Sequence, residues 1–319
     1  MSTLTRPARL AWALCGLTVV LAGVQTWMFL GWSAVRADAS SWPVLTIGLT
    51  LWAALGAVII TRHPRHRVAW LFVVGAVLAA TGNCLFDYDA IATSGPSPDP
   101  SAIWPWAVWL AILLDAPVPL LLLTLLFLLF PTGHLPSRRW RPLLWATWTS
   151  FASLVLVFAV VVPPWRLEPE NRDDVFAEGW GAAPIAITLF VSLLVELLAA
   201  AASVVVRMRR AQGVERQQLR WLAISASMVA VSFVLAAFLP WQSGAGGWLR
   251  VLPLQLSVIA VVAGAALAIL RYRLYDLDVV VSRAILLTAS TLVVAAGYTL
   301  LVVLVGSTMP ARVSEAFWP

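Results

Sequence analysis

The sequence contains no lysine, only two cysteines and three histidines, and just 11% charged residues among its 319 positions. A water-soluble domain carries about a quarter charged residues and just under half apolar ones. Here 61% are hydrophobic and the mean hydropathy is +0.89, which excludes both a soluble globular enzyme and an intrinsically disordered chain. Cys15 and Cys84 have no partner at metal-ligand spacing, so no zinc or redox motif is encoded. His63, His66 and His134 do not make a histidine metal cluster. There is no Walker loop, G-x-S-x-G or H-E-x-x-H motif, and the glycines at 244, 246 and 247 belong to a short turn. No catalytic constellation, cofactor site or metal site is predicted.

Long apolar runs fill the chain instead. Nine can be marked, near 10–30, 43–61, 68–87, 103–130, 143–163, 182–206, 221–240, 251–270 and 285–306. Each is about the 20 residues that one bilayer crossing requires. None shows a clear apolar period, as expected where every face meets lipid or protein. The expected fold is all-α, a polytopic transmembrane helical bundle of about nine spans. Residues 1–306 form its membrane domain and 307–319 a short outward tail, with no soluble catalytic domain.

The net charge of +6 rests on arginine alone. Its clustering between apolar runs points to topology control and anionic lipid headgroups rather than to nucleic acid. With the N-terminus cytoplasmic, sixteen arginines fall inside, from Arg6 and Arg9 through the clusters at 62–67, 138–141, 207–220 and 271–283. Five fall outside: Arg36, Arg166, Arg172, Arg250 and Arg312. An odd number of spans then places the C-terminus outside. Trp32, Trp42, Trp70, Trp104, Trp140, Trp165, Trp180, Trp221, Trp241 and Trp248 lie near span ends, where interfacial anchoring accounts for nearly all of them. The first run follows Arg6 and Arg9 and precedes a small-x-small Ala37-Asp38-Ala39, as in a signal peptide. It exceeds the usual apolar core of about 7–15 residues, which favours a retained anchor. Cys15 and Cys84 differ in depth by roughly 15 Å at the helical rise, so both are expected as free, buried thiols.

Asp115, in Leu113-Leu114-Asp115-Ala116-Pro117-Val118-Pro119, stands near the middle of a run too long for one untilted helix. A carboxylate there costs roughly 2.5–3.5 kcal/mol and faces a partner or cavity, which makes it a proton or ligand candidate. The favoured reading is that it caps a second helical segment whose first turn holds the prolines, and the two readings are compatible. Glu196 is the second intramembrane carboxylate, placed toward the arginine-rich half. Asn83 and Asp87 are further sensing candidates, for which polar packing between helices is the simpler reading. The acidic loop at 164–182 lacks calcium-loop spacing and reads as solvated, and Gly95–Pro100 as a turn. Small-residue pairs Gly75/Ala79 and Gly264/Ala268 permit close helix contact, within the chain or in a homodimer.

Several loops carry a common pattern. Leu129–Pro142, LFPTGHLPSRRWRP, with Arg138, Arg139 and Arg141, resembles the "LFPDGRLPSRRWRP" segment of sensor histidine kinases from high-GC Gram-positive bacteria. Gly213–Ala223, with Glu215, Arg216 and Arg220, is similar to their "ERQQLKWLA". The stretch RYRLYDLD, holding Arg271, Arg273, Tyr275, Asp276 and Asp278, is similar to "RYRLYDID". His63-Pro64-Arg65-His66-Arg67 before Val68-Ala69-Trp70-Leu71 is similar to "RRPxNPIGWL". Departures occur at His134, Val279 and Ser282, where the family tends to have Arg, Arg and Asn. The resemblance covers essentially the whole chain and implies the membrane input region of a two-component sensor kinase in the bacterial cytoplasmic membrane. It implies signalling through helix rearrangement to cytoplasmic loops, and as partners a homodimer or a separate kinase and response regulator. No histidine follows His134 and no ATP-lid motif is present, so the phosphoacceptor and kinase core are not in these residues. Two rival expectations are a secondary transporter using Asp115 and a non-signalling remnant of a shortened kinase.

Overall fold

In the computed structural model, residues 5–38, 42–94, 101–115, 117–131, 133–168, 184–238 and 253–265 are described. They are helical almost throughout, with no strand among them. The long helices are α1 (Arg6–Gly31), α3 (Val44–Arg62), α4 (Arg67–Ala92), α5 (Trp104–Asp115), α6 (Pro117–Leu129), α7 (Arg141–Val161), α8 (Pro184–Arg210), α9 (Gly213–Phe238) and α10 (Pro253–Ala265). A short α2 (Ser33–Asp38) follows α1. Among the described residues seven segments are long and apolar enough to cross a membrane, with α5 and α6 counting as one. They coincide with the first seven apolar runs of the sequence. The eighth run is helical in its described part, Pro253–Ala265, and the ninth lies outside the described residues.

Apolar side chains gain little by leaving lipid for protein, so these helices must be held by close packing and polar contacts. Small residues provide the packing. A Cβ on Gly56 would lie 2.6 Å from Val73 Cγ2 and 2.7 Å from the Ala69 carbonyl oxygen, so α3 and α4 touch backbone to backbone. A Cβ on Gly82 would meet Leu114 Cβ at 2.8 Å, bringing α4 as close to α5. The glycines of both predicted small-residue pairs pack within the chain, and Ala268 of the second lies outside the described residues. Gly75 faces Leu122 of α6 and Trp52 of α3, while Gly264 of α10 faces Ser225 and the Trp221 carbonyl of α9.

Polar side chains stitch the helices together. The buried Thr46 hydroxyl donates to the buried Gln25 Oε1 at 2.5 Å, joining α3 to α1. Trp42 Nε1 donates to Thr26 Oγ1 at 3.2 Å and its ring stacks on Phe29 with centroids 4.0 Å apart. Trp52 Nε1 donates to the Val258 carbonyl at 3.3 Å, fastening α10 to α3. Thr18, Thr50, Thr124 and Thr147 donate to carbonyls one turn earlier, so their hydroxyls are satisfied inside their own helices.

The same contacts sort the helix ends. Trp12 Nε1 donates to Thr61 Oγ1 at 3.2 Å, so the start of α1 meets the end of α3. His66, at the start of α4, meets Pro131 beyond the end of α6, and Arg207 near the end of α8 meets Phe130. The arginine clusters at 6–9, 62–67, 138–141 and 207–220 therefore gather at one basic end of the bundle. Cys15 and Cys84 are free and buried, as expected, and Cys84 Sγ donates to the Leu21 carbonyl at 3.4 Å.

Candidate functional site

At the basic end, α6 stops where Pro131 removes an N–H donor. The Phe130 N–H still reaches the Leu126 carbonyl at 2.9 Å, and the Gly133 N–H reaches Leu129 at 2.7 Å. Gly133 does so at φ +77°, the left-handed conformation that a helix C-terminus commonly uses and that glycine adopts without strain. Arg207 takes two of the carbonyls near this end. Its Nη1 donates to the Phe130 carbonyl at 2.7 Å, its Nη2 to the Phe127 carbonyl, and its Nε to Ser203 on its own helix at 3.3 Å. A fixed guanidinium fork suits two carbonyls, and its charge also offsets the negative end of the α6 dipole.

The adjoining carbonyl, of Pro131, accepts from His66 Nε2 at 3.1 Å. His66 Nδ1 accepts the Ala69 N–H at 3.4 Å and so caps α4, which assigns the ring proton to Nε2. Burial pushes the imidazole below its ordinary pKa. The Pro131 hydrogen bond opposes that shift, and repulsion from His63 and His134 reinforces it. His66 is thus neutral at pH 7. Trp70 Nε1 donates to the Pro64 carbonyl at 2.9 Å, closing the same loop. Two loops that carry the sequence resemblance, 63–71 and 129–142, are thereby clasped to one another and to α8. Arg138, Arg139 and Arg141 project from this clasp, and Arg216 and Arg220 from the start of α9, all exposed. The Glu215 side chain and residues Arg271, Arg273, Tyr275, Asp276 and Asp278 lie outside the described structure.

Within the membrane region the predicted carboxylates do not converge. The fourth span breaks where the sequence indicates: α5 ends at Asp115 and α6 begins at Pro117. Asp115 is exposed, whereas Leu113, Leu114 and Pro117 around it are buried. Glu196 sits on α8, 5% exposed, about 16 Å along the helix from Arg207. Ser150 of α7 donates to its Oε1 at 2.8 Å, and Ser192, one turn earlier on α8, donates to the same oxygen at 3.0 Å. The second oxygen, Oε2, is buried with no hydrogen-bond partner among the described residues. This three-residue cluster joins α7 to α8 and leaves one carboxyl oxygen open to a proton or a donor group. Among the described residues no hydrogen bond joins Asp115, Glu196 and Asn83 to one another.

On α4, Asn83 is buried with Nδ2 unpartnered, and Asp87 is half-buried. The carboxylate enclosed most fully on that helix is one that the sequence reading passed over, Asp89, at 2% exposure. It accepts from Trp104 Nε1 at 3.0 Å. Trp104, expected as an interfacial anchor, is itself 1% exposed and pins α5 to α4, while Trp165 keeps the exposed placement that anchoring predicts. The available signal was the spacing. Residues two apart on a helix point to different faces, so Asp87 and Asp89 do not share an environment.

Among the described residues these features define an all-helical protein with seven segments long and apolar enough to cross a membrane. Among the described residues no group of three or more His, Cys, Asp or Glu side chains is placed to hold a metal ion. Compared with models of known protein families, with curated proteins and with solved structures, the chain matches none.

Proposed function

We propose that this chain is a membrane sensor or input module of the kind its loops resemble in two-component sensor histidine kinases. It sits in the bacterial cytoplasmic membrane with the basic end inside and passes a stimulus through helix rearrangement to a kinase, attached or separate. The observation that supports this reading is the clasp, in which loops 63–71 and 129–142 and Arg207 meet at the end that would face a cytoplasmic partner. An input module needs two helix arrangements that a stimulus binds unequally. The clasp offers a small step between them, a few hydrogen bonds at about 0.5–3 kcal/mol each, depending on charge. The break between Asp115 and Pro117 divides the fourth span into two shorter helices, the kind of interruption about which such a rearrangement would turn.

The test is a distance measurement between spin labels at Arg65→Cys and Ser137→Cys in a cysteine-free background, reconstituted in vesicles. Two populations whose ratio shifts with lipid composition or osmotic tension are expected. A single unchanging distance under every condition would refute the switch. A secondary transporter is the second reading, favoured by one observation, an exposed carboxylate at a broken helix. Solute or proton uptake into the same vesicles that is abolished by Asp115→Asn would establish that reading instead.

A further inference from the structure

Beside the clasp, α8, α9 and α10 enclose an open groove of about 1080 Å³. Its floor is one stripe of α9. Arg216, Arg220, Ile224, Met228, Val231 and Leu235 follow one another at three- and four-residue steps, which places them on one helix face. All six are exposed, Val231 by 57%. Val205 and Met208 of α8 form one wall and Pro253 and Leu256 of α10 the other. The groove is charged only at one end, because residues 221–238 contain no Asp, Glu, Lys or Arg. At that end two guanidinium groups stand one turn apart, and among the described residues neither is paired with a carboxylate.

We infer that this groove is a binding site for an anionic diacyl phospholipid, its phosphate held by Arg216 and Arg220 and its acyl chains lying along Ile224, Met228 and Val231. The lengths agree. From Arg220 to Val231 the helix rises about 16 Å, and one leaflet contributes about 15 Å of hydrocarbon. The chemistry agrees too. Guanidinium pairs bind phosphate through parallel charge-assisted hydrogen bonds, which are stronger where apolar walls keep water away. The first turn of α9 adds the positive end of its helix dipole. Farther from the arginine clusters the apolar surface lacks this combination: Ile187 and Val191 of α8 are exposed with no arginine within about four turns of them on that helix before Arg207. The site is independent of the sensor proposal, since it requires only that the basic end meets a leaflet containing anionic lipid.

The experiment places a photo-crosslinking benzophenone side chain at Met228, and separately at Ile187, an exposed position of α8 far from its arginines. The full chain is reconstituted in vesicles of equal phosphatidylglycerol and phosphatidylcholine, and adducts are read by mass spectrometry. At Met228, phosphatidylglycerol adducts should exceed phosphatidylcholine adducts by about fivefold or more, the factor that one arginine contact with an anionic lipid supplies. At Ile187 the two should be equal. Arg216→Gln with Arg220→Gln should abolish the excess, whereas Arg209→Gln with Arg210→Gln, which removes the same charge outside the groove, should retain it. Leu256→Trp should lower all lipid adducts at Met228 without changing charge. Equal adducts of the two lipids at Met228 would overturn the proposal. So would adducts to a second copy of the chain, or to residues 266–319 of the same chain.

Discussion

Replacing Arg207 with Met separates a structural arginine from one that only sets topology. Arg207, Arg209 and Arg210 lie within four residues and contribute equally to a positive-inside count. Only Arg207 donates to the Phe127 and Phe130 carbonyls, while Arg209 and Arg210 are exposed. Hydrogen bonds with a charged partner contribute about 1.5–3 kcal/mol each, so two fully enclosed ones would give about 3–6 kcal/mol. Arg207 is only half-buried, and solvent screening halves that figure to about 1.5–3 kcal/mol. Arg207→Met should lower unfolding stability in bicelles, followed by steric trapping, by that amount. Arg209→Met and Arg210→Met should each change it by less than about 0.5 kcal/mol. Arg207→Lys should fall between, because a single ammonium is a poor match to two separated carbonyls. Equal losses for all three Met variants would refute the reasoning, since the effect would then follow charge and not the clasp.

Further outcomes follow from other contacts. Gly56→Ala should destabilise by about 1–3 kcal/mol, because its Cβ would press on the Ala69 backbone carbonyl, whereas Gly16→Ala, with open space around it, should be neutral or stabilising in the same assay. Ser150→Ala should cost about 1–2 kcal/mol by removing one of two donors to the buried Glu196 carboxyl, while Thr149→Ala, at an exposed position, should cost little. His66 contributes as the neutral ring, and its pKa lies below the unfolded value of about 6.5. The unfolded chain therefore binds more protons in that window, so the His66 contribution is complete above about pH 7 and falls as pH drops through 6.5 toward the folded pKa. Protease sensitivity of loop 129–142 should rise over that interval, and His66→Asn, which keeps an N-cap acceptor, should flatten the profile. Maleimide should label neither cysteine in intact vesicles and both after denaturation without reductant.

Much of the architecture is readable one residue at a time. Transfer into a bilayer depends on the composition of a 20-residue run and not on its neighbours, which is why the seven spans coincide with their apolar runs. The fourth span breaks at Asp115 and Pro117 because proline lacks the N–H that a continuous helix needs, a property of the residue itself. Cys15 and Cys84 stay apart because position along a helix sets depth. Which face of a helix meets which partner is a different kind of information. Arg207 turns inward to α6 and Arg210 outward. Trp104 is enclosed against Asp89 and Trp165 is not, although each pair looks alike in sequence. Gly75 and Gly264, equally suited to a dimer interface, pack inside the chain. The sequence alone determined that the chain forms many helices long and apolar enough to cross a membrane, and that the fourth breaks after Asp115. Only the tertiary structure decided the clasp, the Glu196 cluster and the groove on α9, because hydrogen bonds and close contacts depend on helix pairing and rotation, to which hydropathy is blind.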